Sequence, residues 1–191
     1  MATPNSAVTL TADQIDFLNR MLSALRHDVN GKSSLIVAGA ELMRLGRDVD
    51  KHLRHLSEQP ALSLGLIGEF DRVLAWTLGA HPGTSRPPAP LLERSAASVS
   101  KRAQHRPLKL RQAPLLLQGE DITHLRGQFA LMRDNVTNCL SLIVAAADLI
   151  EFNPETTERM ISSLLEQPAR IAEELGEFGV EFDRVLGIVR G

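Results

Sequence analysis

The pattern in this 191-residue chain that most suggests chemistry is a histidine, His27, followed directly by a carboxylate, Asp28. An imidazole titrates near neutral pH and can act as a nucleophile, and a neighbouring carboxylate can orient the ring and activate its attacking nitrogen. Arg26 precedes the histidine, and Asn30 and Gly31 follow it by about one helical turn. These five residues are therefore the candidates for a reactive surface.

Other polar patterns are weaker. His52 and His55 have the i, i+3 spacing of two metal ligands, but no third ligand lies near them in sequence, so a solvated helix start is the simpler interpretation and no metal is expected. Ser33 and Ser34 share a helix with His27 and do not indicate a catalytic triad. The chain contains no glycine-rich phosphate loop.

The apolar residues around His27 recur in alternating steps of three and four, which is the heptad pattern of a helix with one buried side. If Ile15 takes position a, Leu25 falls at d and His27 at f, which points directly away from the buried seam. Lys32 interrupts the seam and is expected to snorkel outward at its edge. The pattern thus predicts an exposed His27.

Helix boundaries follow from capping residues. Thr11 with Gln14 has the spacing of a capping box and predicts a helix that starts near residue 12. Gly46 is suited to end that helix and Asp48 to begin the next one. In the second half of the chain, Asn153 before Pro154 is expected to start the last helix, and the second helices of the two halves are expected to end near residues 78 and 189.

The chain contains an internal repeat. The segment SLIVAGAELM at residues 34–43 recurs as SLIVAAADLI at 141–150, an offset of 107, and EQPA at 58–61 recurs at 166–169, an offset of 108. Each copy is a helical hairpin with one apolar stripe, which two copies can bury against each other. We therefore expect an all-α, four-helix bundle made of two tandem hairpins, an intramolecular pseudo-dimer that is monomeric in solution. The expected organisation is a tail at 1–10, a first hairpin at 11–79, a basic linker at 80–117 and a second hairpin at 118–191.

Composition narrows the function classes. The single cysteine, Cys139, excludes an internal disulfide and an all-cysteine metal site, and we interpret it, like Phe70 and Trp76, as a core residue. Residues 80–114 carry a net charge of +6 and the remainder −8, which is not the footprint of a nucleic-acid-binding fold. The first residues do not resemble a secretory signal, and no run of 18 apolar residues indicates a membrane span. A cytoplasmic protein is expected.

The sequence RHDVNG, followed by an apolar helical run, resembles the H-box of the dimerisation and histidine phosphotransfer domain of bacterial sensor histidine kinases. The resemblance implies that His27 accepts a phosphoryl group, that Asp28 orients its imidazole, and that Asn30 hydrogen-bonds the phosphoryl group or the partner. It places Arg26 and Gly31 where a partner binds. In that family a polar residue four positions after the histidine supports phosphatase chemistry, and Gly31 stands at that position here.

The second hairpin departs from this pattern, because Asp134 and Asn135 occupy the positions of His27 and Asp28, and Asn138 that of Gly31. The chain has no ATP-binding boxes, so autonomous kinase activity is not expected. The leading hypothesis is a histidine phosphotransfer protein that exchanges a phosphoryl group with the receiver domain of a response regulator, with a histidine kinase as a possible second partner. Magnesium would be bound by the receiver and no cofactor by this chain. The alternative is a non-catalytic interaction module that binds a receiver or a kinase, and an unrelated four-helix bundle is a third possibility.

Overall fold

The structure, a computed structural model, describes residues 7–47, 49–79 and 114–189. It contains four long helices: α1 (Ala12–Arg44), α2 (Val49–Thr77), α3 (Gly119–Phe152) and α4 (Thr157–Val185). Two short strands, β1 (Val8–Leu10) and β2 (Leu115–Leu117), precede α1 and α3. The expected all-α fold, a four-helix bundle of two tandem hairpins, is confirmed.

The first hairpin begins and turns where its capping residues predict. The backbone N–H of Gln14 donates to the Thr11 hydroxyl at 3.2 Å, and that of Thr11 donates to the Gln14 side chain at 2.9 Å, which completes the capping box. After α1, Gly46 has a φ of +69° and the Arg47 N–H donates to the Leu42 carbonyl at 3.0 Å, as in a Schellman motif. The expected cap Asp48 lies outside the described residues.

The boundaries of α4 differ from those expected. Asn153 accepts a hydrogen bond from the Glu155 N–H at 3.2 Å, but it caps a 3₁₀ turn at Pro154–Thr156, and α4 starts only at Thr157. At its C-terminus α4 ends at Val185 rather than near 189, because Gly187 takes a φ of +63° that terminates the helix.

The described chain divides into two compact units, and each includes part of all four helices. Of the described residues, unit 1 comprises 7–25, 68–79, 114–130 and 177–189, and unit 2 comprises 26–47, 49–67 and 131–176.

Unit 1 contains an antiparallel ribbon of β1 and β2 in segments that the sequence analysis assigned to the tail and the linker. Val8 pairs with Leu117 and Leu10 with Leu115, so that Thr9 and Leu116 form the central pair. Thr9 and Leu116 are 107 residues apart, which equals the offset of the repeat. Each strand therefore pairs with the strand that occupies the same position in the other copy of the repeat. The ribbon is therefore symmetric, and the repeat extends upstream of the helices.

Phenylalanine rings form the core of unit 1. Phe129 lies 5.5 Å from Phe70 and 5.4 Å from Phe178 between ring centroids, and Phe178 lies 6.0 Å from Phe182. All four rings are at most 3% exposed, which confirms Phe70 as a core residue. Trp76, expected in the core, is only half-buried, and the aromatic core is instead built from α2, α3 and α4.

The heptad seam forms the core of unit 2. Val29, Ile36, Val136 and Ile143 are 0–1% exposed, as their seam positions predict. Cys139 is also buried, and this burial raises the pKa of its thiol. Lys32 is half-buried at the edge of the seam.

One helix of the described part, α3, is long and apolar enough to cross a membrane by length and composition. Its most apolar window has a mean hydropathy of 1.3, and 39% of that window is buried inside the structure. A core helix of a bundle can have the same composition, so this observation is weak evidence for a membrane span.

Candidate functional site

His27 lies in the part of α1 that belongs to unit 2, and its side chain is exposed. Successive helical residues are about 100° apart, so Ile36, nine residues later, lies on the opposite side of α1. Ile36 is 1% exposed. The imidazole therefore projects from the face of α1 farthest from the core, where a macromolecule can reach it.

The other four candidates divide between this outer face and its flanks. Asn30 and Gly31 are exposed and share the outer face with His27. Arg26 and Asp28 are half-buried and, as the residues on either side of His27, lie about 100° from it on opposite flanks. The Ser34 hydroxyl donates to the Asn30 carbonyl at 2.9 Å, so the Asn30 backbone is engaged within the helix.

Gly31 leaves the helix open one turn beyond His27. A Cβ at this position would meet nothing within 4 Å, so neither packing nor an unusual backbone angle requires a glycine here. Glycine in a helix interior costs about 0.5–1 kcal/mol relative to alanine. The chain therefore carries a destabilising residue beside its candidate nucleophile.

An apolar edge adjoins this outer face. A Cβ on Gly39 would lie 3.8 Å from His52 and 3.9 Å from Leu56, which identifies the side of α1 that packs against α2. Leu35, one turn before Gly39, lies at the outer margin of that side and is 57% exposed. On α2, Leu62 is 52% exposed. Sequence periodicity did not single out these two exposed leucines.

The second hairpin presents polar groups at the equivalent places. Asp134, in the position of His27, is exposed and accepts from Arg133 at 3.2 Å. Asn135, in the position of Asp28, donates to the Glu174 carboxylate of α4 at 2.9 and 3.0 Å. With the repeat offset of 108, Glu174 corresponds to Leu66 and Arg170 to Leu62. A charged residue thus stands at the position of Leu62, whereas the counterpart of Leu35 is another exposed leucine, Leu142.

Charge separates the two hairpins within unit 2. Residues 26–67 carry six Lys/Arg and five Asp/Glu, a net charge of +1, and three histidines. Residues 131–176 carry three Lys/Arg and eight Asp/Glu, a net charge of −5. The hairpin with His27 is therefore the one that an acidic partner can approach.

Among residues 7–47, 49–79 and 114–189, no group of three or more His, Cys, Asp or Glu side chains could hold a metal ion.

Comparison of the chain with protein-family models, with curated proteins and with solved structures finds no match. The likeness to a histidine phosphotransfer domain therefore depends on the residues around His27 and on the repeated hairpin.

Proposed function

We propose that the protein is a cytoplasmic histidine phosphotransfer protein, in which His27 exchanges a phosphoryl group with an aspartate of a response-regulator receiver domain. The observation that carries the proposal is the exposure of His27 on the outermost face of α1, beside Asp28 and next to an open helix surface at Gly31. A buried histidine could not accept a group from another protein.

The chemistry requires little from this chain besides position. A nitrogen of the neutral imidazole attacks the phosphorus of the aspartyl phosphate, a P–N bond forms, the P–O bond to the carboxylate breaks, and the aspartate leaves as a carboxylate. The receiver, with its magnesium ion, supplies most of the charge stabilisation. The helix supplies a fixed position, which is the larger part of catalysis in a transfer between two bound groups.

The surroundings of His27 suit an acidic partner with an apolar contact. The net charge of +1 on residues 26–67 does not repel such a partner, whereas the −5 of residues 131–176 does. Leu35, at the margin of that face, is more than half exposed and can bury apolar surface of the partner. These features support docking on the first hairpin.

The test is phosphotransfer from a panel of phosphorylated receiver domains to the purified chain. We expect a label that is labile in acid and stable in base, as a phosphohistidine is. His27→Ala should abolish it without unfolding the bundle, because an exposed outer position contributes no core contact. His55→Ala is the matched control, since His55 also lies on a helix and its side chain is about half exposed. Its Nδ1 atom lies 3.8 Å from the Glu58 carboxylate.

The outcome also separates this proposal from the alternative, a non-catalytic interaction module. If a receiver binds but His27 never becomes labelled, and His27→Ala leaves the affinity unchanged, phosphotransfer is excluded and the chain acts by occupancy. The loss of the phosphoacceptor in the second hairpin, where Asp134 stands, is the observation that keeps this alternative in view.

A further inference from the structure

Lys32 is a charged residue at a position that the heptad of α1 assigns to the buried seam. It is half-buried, and it lies one turn before Ile36, which is 1% exposed. With the repeat offset of 107 its counterpart is Cys139, a core residue that is 8% exposed. A lysine at a single seam position generally costs stability. Because the second copy accommodates a small core residue here, the fold itself does not require a lysine at position 32.

Lys32 lies on the flank of α1 that faces α2. Gly39 follows it by seven residues, about two helical turns, and therefore lies on the same side of the helix. A Cβ on Gly39 would be 3.8 Å from His52 of α2. Asp28, one turn before Lys32, shares this flank and adjoins His27. Lys32 is thus on the α2 side of α1, about 7.5 Å along the helix axis from His27, and helical side chains tilt towards the N-terminus, which here is the direction of His27.

The second copy shows which residues of the adjacent helix lie beside this position. Burial raises the pKa of the Cys139 thiol, the charge of Arg170 lowers it and that of Glu174 raises it, so both charged side chains lie near the thiol. With the offset of 108, their counterparts in the first copy are Leu62 and Leu66. The repeat therefore places two leucines beside the lysine of the first copy, where the second copy has one cation and one anion.

No anion of the adjacent helix compensates the charge of Lys32. From residue 59 to residue 68, α2 has no charged side chain. Within the described part of the chain, Lys32 forms no ion pair. Because Lys32 is only partly buried, another protein can reach it. A carboxylate of that protein would pair with Lys32 next to apolar side chains, where water and salt screen an ion pair less than on an open surface.

We infer that Lys32 is a specificity-determining residue, which pairs with a carboxylate of the receiver domain that docks at His27. The inference rests on the proposed phosphotransfer and names one contact by which the first hairpin selects an acidic partner. The ion pair forms on docking and does not change while the phosphoryl group moves, so it stabilises the bound substrate and the transition state equally. The lysine thus destabilises the free bundle and stabilises the complex.

The test is the kinetics of phosphotransfer to the full-length chain from the phosphorylated receiver domain that labels His27 fastest in the panel. Lys32→Met removes the charge and keeps an unbranched side chain of similar length. We expect KM for the phosphorylated receiver to rise at least about fivefold and kcat to change by less than about twofold, because a contact that is equal in both states affects binding alone. Salt at about 0.5 M instead of about 0.05 M should raise the KM of the wild type by a larger factor than that of Lys32→Met.

Two further variants separate the charge of Lys32 from other effects. Lys32→Arg keeps the charge and should leave KM within about twofold of the wild-type value. Lys51→Met removes the same charge from an exposed position in the first turn of α2 and should change neither KM nor kcat. This turn lies beside Gly39, about 18 Å along α1 from His27. The Tm of Lys32→Met should be higher than that of the wild type, which checks that a raised KM does not come from misfolding.

Three results would overturn the inference while the label on His27 stands. Equal KM values for Lys32→Met and the wild type would show that Lys32 only extends outward at the edge of the seam. A KM raised equally in Lys32→Arg would assign the effect to side-chain shape, and a KM raised equally in Lys51→Met would assign it to the overall charge of the hairpin. If no receiver labels His27, the proposed phosphotransfer itself is wrong, and the inference is wrong with it.

Discussion

Gly31→Ala is the substitution that best separates stability from function in this protein. The new methyl group meets nothing within 4 Å, and Gly31 lies well inside the helix Ala12–Arg44, so the change removes the cost of a helical glycine without introducing a clash. We expect a gain of about 0.5–1 kcal/mol in the free energy of unfolding, or about 1–4 °C in Tm for a chain of this size. Urea and thermal unfolding measure it.

The same methyl group should impair phosphotransfer. It projects from the outer face beside His27, so a docked partner must shift by the thickness of a methyl group, and a misplacement of about 1 Å can cost on the order of 10²-fold in rate. We expect the transfer rate to fall to about a tenth of the wild-type rate or below, although the protein is more stable. Gly127→Ala is the control, because Gly127 is also an exposed helical glycine with nothing within 4 Å and lies on another helix, α3. It should stabilise equally and leave transfer unchanged.

Two results would refute this reasoning. A loss of stability in Gly31→Ala would mean that the helix needs a glycine at this position. Unchanged transfer in the stabilised variant would mean that no partner approaches the backbone beside His27, and the proposed docking face would be wrong.

Three further outcomes are expected. Ile36→Ala should cost about 2–5 kcal/mol in urea unfolding, since Ile36 is 1% exposed in the seam, and a loss under about 0.5 kcal/mol would contradict the packing. Hydrogen bonding from Arg184, at 2.9 and 3.1 Å, with a further contribution from His124, lowers the pKa of Glu181 from 4.5 to about 2. Because the pKa of Glu181 is lower in the folded than in the unfolded protein, the Glu181–Arg184 pair contributes stability above pH 4.5 that is lost as the pH falls towards 2. The free energy of unfolding of Glu181→Gln should therefore decrease less than that of the wild type over this pH range. Light scattering at micromolar concentration should report a monomer of 20.9 kDa, and a stable dimer would indicate exchange of hairpins between chains.

The sequence predicted the long-range features of the fold through its repeat and its heptads. A seam residue such as Val136 could be placed in the core from spacing alone, and the Thr11–Gln14 capping box located the start of α1. The strands could not be found in this way, because a three-residue strand has no periodicity and its two copies, VTL and LLL, share only one residue. Their pairing follows from tertiary symmetry, which places Thr9 opposite Leu116.

The candidate site was predictable in part for a similar reason. Position f predicted the exposure of His27, since the seam fixes which side of α1 is outward. The exposed leucines were not distinguishable from core leucines, because Leu35 and Ile36 adjoin in one apolar run and only the helix rotation in the structure separates them. The Asn135–Glu174 contact joins residues 39 apart and depends on how α3 and α4 pack.

That contact determines what a second phosphoacceptor would require. Asp134→His alone should not be labelled at the rate of His27, because Asn135 supplies no neighbouring carboxylate. Adding Asn135→Asp should destabilise the protein at neutral pH, since the amide that donates to Glu174 at 2.9 and 3.0 Å becomes a second carboxylate beside it.

Adding Glu174→Leu should restore stability at neutral pH and reproduce the Leu66 of the first hairpin. The triple variant, Asp134→His/Asn135→Asp/Glu174→Leu, is therefore the smallest set of substitutions with which both hairpins should accept a phosphoryl group. Intact-mass spectrometry of samples kept at alkaline pH would then detect two phosphates per chain instead of one. If Asp134→His alone becomes labelled as fast as His27, neither Asp28 nor Leu66 contributes to transfer, and an exposed imidazole on this bundle is sufficient.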